Sequence, residues 1–239
     1  MSQNLYDEPE FFEGYSQLAR SQGGLDEAPE WPIVRTFLPE MSGLKVLDLG
    51  CGFGAFDRWA IDQGAESVLA IDLSEKMLAE ARSRTSTEHI EYIRGDLTEL
   101  DAIPANFDLV YSALALHYAP DIQRVFVDIR KHLVLGGRLV VTVEHPIFTA
   151  PSNPEWTDRP AWPLDNYALE GRRITNWISE GVVKYHRTIA TYVNSLIATG
   201  FSLKELVEWT PSEEDIERHP DWEIEVHRPM FLLLGADAT

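Results

Sequence analysis

The sequence predicts an α/β fold, a mostly parallel sheet with helices on both faces. Three observations predict it. Five apolar runs between residues 44 and 145 alternate with segments of helical period, the pattern of consecutive strand–helix units. The first run, Val46 to Leu49, stops at Gly50, Gly52 and Gly54, and a helical segment follows at once. Acidic residues recur at the strand ends: Asp48, then Asp72, then Asp96.

Residues 1–40 read as a polar lead-in dotted with aromatics. Tyr6, Phe11, Phe12 and Tyr15 follow a partly helical pattern that Gly23-Gly24 breaks. A short helix over 31–38 precedes the first strand. Glycines in the turn at 50–54 admit unusual φ and a close ligand approach. The helix over 55–63 is expected to aim unpaired N–H groups and its positive dipole end into that turn. Cys51, the single cysteine, sits inside the turn. It reads as a small residue in a tight space or as a nucleophile. One cysteine permits no internal disulfide and suits a reducing compartment.

Gly64 stops the first helix, and a strand over 67–71 ends at Asp72. That is roughly 20 residues past the glycines, where a nucleotide ribose is expected, and a carboxylate there accepts from both hydroxyls. Ser74 caps a helix over 75–84 whose apolar face begins with Met77 and Leu78. The strand over 90–94 ends at Gly95-Asp96-Leu97, by itself an ordinary turn. The strand over 107–112 leads into Ser112-Ala113-Leu114-Ala115-Leu116-His117-Tyr118, at the edge where open α/β sheets bind ligands. Apolar residues at 122, 125, 126, 129 and 133 mark a packed surface helix over 121–133. Gly136-Gly137 is expected to end it, before a strand over 138–143 that runs into Glu144-His145-Pro146.

Two ligands suit the opening turn. Gly50, Gly52 and Ala55 satisfy the dinucleotide pattern G-x-G-x-x-A. Asp48-x-Gly50-x-Gly52-x-Gly54 satisfies an S-adenosylmethionine loop, whose carboxylate suits the ligand's ammonium. On these residues the segment resembles the first motif of the class I S-adenosylmethionine-dependent methyltransferases, of the small-molecule, type 11-like kind. The stretches AIDLSEKML and LVLGGRLVV are also similar to that family. The likeness covers about residues 40–145 by motif and 187–235 by layout. It implies a Rossmann-like, seven-stranded, mostly parallel sheet with the last strand antiparallel. A C-terminal helix over 188–199 and paired strands over 201–207 and 230–234 complete that layout.

The resemblance also implies a cofactor site for S-adenosylmethionine. Asp48, Gly50, Cys51, Gly52 and Gly54 would form its loop, Asp72 would hold the ribose, and Leu73 and Met77 would flank the adenine. Gly95, Asp96 and Leu97 would lie at the adenine edge, Asp96 accepting from the amino group. Ser112 and Ala113 would close the site from the fourth strand. An N-terminal segment folding over the cofactor would bring Tyr15 and Arg20 to the pocket, Arg20 toward the methionine carboxylate. Tyr15 and Arg20 are also open to packing or solvating the lead-in alone.

One domain is expected, divided into a lead-in (1–40), a cofactor half (41–146), an insertion (147–186) and a C-terminal part (187–239). The insertion is rich in proline and aromatics: Pro151, Pro154, Trp156, Pro160, Trp162, Pro163 and Tyr167. A hairpin over 174–178 and 182–185 is expected to turn at Glu180-Gly181. Such an excursion reads as a lid or substrate wall, with aromatics for a sulfonium, or as a satellite cluster capping the sheet.

A formal net charge of −19 without a Lys/Arg cluster argues against a nucleic-acid partner. The N-terminus has no basic start or apolar core, and no apolar run reaches the roughly 20 residues of a membrane span, so a cytoplasmic protein without a membrane partner is expected. No zinc-type His/Cys spacing is seen, so no metal is expected. Methyl transfer to a hydroxyl or amine is helped by a base. The candidates are His117 and His145, with Glu144 adjacent, and His186, each also open to structural hydrogen bonding. The reading is an S-adenosylmethionine-dependent methyltransferase with a small-molecule acceptor. A nicotinamide-dependent oxidoreductase and a non-catalytic cofactor-binding protein are the alternatives. The acceptor atom and the oligomeric state stay open.

Overall fold

The computed structural model describes residues 3–151 and 164–239. Pro154, Trp156, Pro160, Trp162 and Pro163 of the insertion lie outside the described residues. Helices α1 (Pro9–Ser16), α2 (Ala19–Gly23) and α3 (Trp31–Phe37) lead into β1 (Lys45–Leu49), α4 (Ala55–Asp62), β2 (Ser67–Asp72), α5 (Glu75–Ser83) and β3 (Ile90–Arg94). Then come β4 (Phe107–Ala113), α6 (Ile122–His132), β5 (Leu133–Glu144), α7 (Pro146–Thr149), β6 (Gly171–Trp177) and β7 (Ser179–His186). The chain closes with α8 (Ile189–Ala198), β8 (Phe201–Trp209), α9 (Glu213–Arg218) and β9 (Phe231–Ala238).

The main sheet has seven strands in the order β3-β2-β1-β4-β5-β9-β8. The first five strands run parallel, and β9 is antiparallel to both β5 and β8. The strand order reverses at β1, which pairs with β2 on one side and β4 on the other. Ligand crevices of open α/β sheets form at such a reversal. The central strands are buried along most of their length because helices cover both of their faces. Leu47, Leu49, Val110 and Val141 pack with α6 and α8. Their neighbours Val46, Leu109 and Val140 pack with α3, α4 and α5 on the other face, as the two-residue period of a strand requires. The edge strands are less covered: β3 opens with buried Ile90 and Tyr92 about exposed Glu91, and the middle of β8 alternates between half-buried and exposed positions.

Side-chain caps fix the helix starts: Ser74 Oγ accepts from Met77 N, Asp121 from Arg124 N, and Thr188 from Thr191 N. Two local expectations are corrected. Gly136-Gly137 does not end α6: the chain turns extended at Leu133, and the glycines lie in an irregular start of β5. The β6–β7 hairpin reverses at Ile178, between paired Trp177 and Ser179, and Glu180-Gly181 supplies a bulge instead. The N-terminal segment straps this hairpin to the main sheet. Gln3 donates to Gly181 O (3.1 Å) and accepts from Val183 N (2.8 Å), while Asp7 accepts from Ser74 Oγ (2.6 Å) at the start of α5.

Candidate active site

The tips of β1, β2 and β4 meet at the carboxyl edge of the sheet. Gly50 N and Cys51 N both donate to Ile71 O, at 2.8 and 3.0 Å. Gly52 N donates to Asp72 Oδ2 (3.0 Å) and Ser74 N to Asp72 Oδ1 (2.9 Å). The expected bare amides at 50–52 are therefore in use, stitching the turn to the tip of β2. Gly50 has φ +85°, and a Cβ there would stand 2.4 Å from Ala115 Cβ. The loop after β4 is thus packed directly on the opening turn.

A cavity of about 500 Å³ opens beside these tips. Gly50, Gly52, Asp72, Leu73 and Met77 line it from the first two strand ends. Gly95, Asp96 and Leu97 line it after β3, and Ala113 and His117 after β4. Tyr15 and Arg20 reach it from the lead-in. Asp96 Oδ1 also accepts from Thr98 N and Thr98 Oγ1, which shapes its turn. Burial pushes the Asp72 carboxyl up to about 6, although its bonds from Ser74 N and Gly52 N pull the other way.

A second pocket of about 100 Å³ lies under the glycine turn, with Asp48, Cys51 and Arg20 in its lining. Arg20 holds Glu30 Oε1 at 2.5 Å. Three buried polar atoms of this lining have no partner among the described residues: Ser21 Oγ, Glu30 Oε2 and Asp48 Oδ1. Burial first, then the nearby Asp57, pushes the Asp48 carboxyl well above its ordinary range. Asp57 is itself fully buried and pushed up to about 6 by burial. Asp48 and Asp57 crowd one another, and a cationic ligand beside Asp48 favours its ionised form. Gly54 caps α4 in left-handed geometry and lies outside both linings. Ser112 also lies outside them, with its Oγ donating to Leu49 O at 2.7 Å.

Burial, followed by Asp57, Asp72 and Asp48, raises the Cys51 thiol well above its usual range. A thiol so held is a poor nucleophile. Cys51→Ala is expected to bind S-adenosylhomocysteine within about twofold of the wild type, because only a weakly interacting sulfur is lost. Calorimetry checks this; a loss of about tenfold or more contradicts the space-filling role.

Of the three histidines, only His117 joins the cavity lining. His145 is buried, with Nδ1 accepting from Ile147 N (3.2 Å) and Nε2 bonded to Glu208 (2.8 Å). His186 is also buried, with Nδ1 bonded to Thr149 Oγ1 and Nε2 donating to Tyr167 O, each at 2.9 Å. Both rings therefore have their two nitrogens engaged away from the cavity. Sequence reasoning gave no individual site role to several walls: Tyr6, Tyr118, Trp177, Trp222, Met230 and Phe231. The antiparallel entry of β9 explains the last two, because Phe231 pairs with Glu144 at the tip of β5. Among the described residues, no group of three or more His, Cys, Asp or Glu is placed to hold a metal ion, and no helix is long and apolar enough to cross a membrane.

A family model described as a methyltransferase domain matches residues 47–141. The chain is similar to an S-adenosylmethionine-dependent methyltransferase from Mesorhizobium loti, with 48% identity and a TM-score of 0.85 over 90% of this chain and 100% of that one. A putative S-adenosylmethionine-dependent methyltransferase from Listeria monocytogenes aligns at 36% identity and a TM-score of 0.83 over 90% and 99% of the two chains. A malonyl-[acyl-carrier protein] O-methyltransferase from Enterobacter lignolyticus is 38% identical over 52% of this chain and 46% of its own length.

Proposed function

The chain belongs to the S-adenosylmethionine-dependent methyltransferases, and from that premise we propose that it methylates a small molecule held in the cavity of about 500 Å³. The observation that carries this reading is the adjacency of the two pockets. The smaller gathers unpartnered buried polar atoms beside Arg20, and the larger is mostly walled by aromatic and aliphatic side chains. A zwitterionic amino-acid tail fits the first, and a nucleoside with an acceptor fits the second. Family membership sets aside the nicotinamide alternative. The single cysteine suits the cytoplasm, where we place the enzyme.

When bound, the cofactor supplies an electrophilic methyl group on sulfur. The chain binds, orients and excludes water. Asp48 lies where it would meet the ammonium, and Arg20 keeps guanidinium N–H groups beyond those on Glu30 for the carboxylate. Each Asp72 oxygen accepts one backbone N–H and retains a lone pair for a ribose hydroxyl. Leu73, Met77 and Leu97 would sandwich the adenine, with Gly95 allowing approach and Asp96 at its edge. Gln3 and Val182 both line the cavity, so the strap from Gln3 to the hairpin forms part of its wall.

Isothermal titration with S-adenosylhomocysteine tests the reading, and absence of heat contradicts it. The pH dependence is specific. Asp72 accepts from the ribose only when ionised, and its carboxyl stands at about 6 in the free protein. Affinity is therefore expected to fall as pH drops through about 6, with Asp48, whose carboxyl also stands above its ordinary range and must ionise to meet the ammonium, adding to the loss. Titrations between about pH 5 and pH 8 check this, and a flat profile contradicts the role of Asp72.

A further inference from the structure

The loop after β4 and the tip of β5 bring His117 and Glu144 to an end of the cavity walled mostly by aromatic and apolar side chains. Glu144 Oε1 accepts from Lys184 Nζ at 2.5 Å. Lys184 is 3% exposed, and its Nζ sits 4.8 Å from the centre of the Trp177 ring. Among the described residues, Glu144 Oε2 accepts no hydrogen bond, and the side chain keeps 26% exposure. Burial alone would raise the Glu144 carboxyl; Lys184, then His117, more than offset it and hold the group below the ordinary carboxylate range.

His117 Nδ1 accepts the Glu144 backbone N–H at 3.5 Å. Burial pushes this imidazole down to about 4, so at neutral pH the ring carries one proton, on Nε2. His117 is thus a hydrogen-bond donor, whereas the sequence offered it as a base. The side chains that share this wall, Tyr118, Trp177, Val182, Met230 and Phe231, are aromatic or apolar.

We propose that Glu144 and His117 form the acceptor subsite and that it takes a hydroxyl group, of a phenol or alcohol on an apolar body. The proposal rests on the methyltransferase reading. A hydroxyl has one proton and two lone pairs. Its proton faces Glu144 Oε2, one lone pair accepts from His117 Nε2–H, and the other is left for the methyl carbon. A primary amine has a single lone pair, so it cannot accept from His117 and attack at once. A carboxylate has no proton for Glu144 and meets its negative charge. In the transfer, the hydroxyl oxygen forms the new C–O bond as the methyl–sulfur bond breaks. The electron pair of that bond stays on sulfur as a neutral thioether, and the hydroxyl proton moves to Glu144. The products are a methyl ether, S-adenosylhomocysteine and a protonated Glu144 that returns its proton to solvent.

The test uses three ligands with one body: 2-naphthol, 2-naphthylamine and 2-naphthoate, titrated into protein saturated with S-adenosylhomocysteine. The naphthol is expected to bind at least about tenfold more tightly than the naphthoate and, when S-adenosylmethionine replaces the product, to be methylated at least about tenfold faster than the naphthylamine; an amine methylated as fast overturns the hydroxyl assignment. Glu144→Gln is expected to shrink that ratio to about threefold or less and to slow methyl transfer to the naphthol by about 100-fold or more, leaving S-adenosylhomocysteine affinity unchanged. Should the single variant fail to fold around an unpaired Lys184, Glu144→Gln combined with Lys184→Met removes both charges and is expected to give the same loss of discrimination. Naphthol binding no tighter than naphthoate, or a ratio untouched by the substitutions, overturns the assignment. A wild-type protein that binds no S-adenosylhomocysteine overturns the methyltransferase reading itself, and this subsite with it.

Discussion

Asp72→Asn is expected to raise the dissociation constant for S-adenosylhomocysteine by about 100-fold or more. An ionised carboxylate accepting from two ribose hydroxyls makes two charge-assisted hydrogen bonds, each contributing roughly 1.5–3 kcal/mol. Their loss amounts to at least about two decades in affinity. The carboxamide also turns one oxygen into a donor, so either Gly52 N–H or Ser74 N–H loses its acceptor. Stability should move differently from affinity. Burial raises the folded-state Asp72 carboxyl to about 6, above its unfolded value. Such a group favours the fold at low pH, and that contribution is lost as pH rises through about 6. At pH 7.5 the ionised form is thus a burden on the ligand-free fold that Asn removes. The melting temperature of the ligand-free variant is expected within about 4 °C of the wild type, since each kcal/mol is worth roughly 2–4 °C at this size. Weak binding with intact melting identifies a ligand contact; a parallel collapse of both would reduce Asp72 to a structural brace.

Gly50→Ala is the second large effect. The residue holds φ +85°, and the added Cβ would fall 2.4 Å from Ala115 Cβ. Neither atom can rotate away, because both are first side-chain carbons. The backbone conformation costs an L-residue about 1–2 kcal/mol, and the overlap adds roughly 1–3 kcal/mol. A total near 2–5 kcal/mol lowers the melting temperature by about 5–15 °C. Gly136→Ala is the matched control: its φ is +77°, yet a Cβ there meets nothing within 4 Å. It should lose only the backbone part, roughly 1–2 kcal/mol. Gly50→Ala should also weaken cofactor binding, because relief of the clash must move the turn or the loop carrying His117. Equal losses at the two glycines would show that the contact with Ala115 is unimportant.

The half of the fold over residues 41–146 was legible because its signals are local. Val46 to Gly54 states a buried strand, a turn and a helix within a few residues, and Ser74 states its own cap. The acceptor end was not, because it is assembled from the lead-in, the hairpin and the entry to β9, segments far apart in sequence. Glu144 and His145 illustrate the limit. They are adjacent, so a strand sends them to opposite sides, and no pattern within so short a stretch says which faces the ligand. The structure gives Glu144 to the cavity and His145 to Glu208. Pairing of the turn amides with Ile71 and Asp72 is likewise a contact between strands, which a single strand's composition does not encode.

A crystal structure with S-adenosylhomocysteine bound is the most direct measurement. Both ribose hydroxyls should lie about 2.6–3.2 Å from the Asp72 carboxylate, the amino-acid tail beside Asp48 and Arg20, and the sulfur open toward Glu144 and His117. A ligand seated away from the β1 and β2 tips, or a ribose that leaves Asp72 without a contact, would contradict the account.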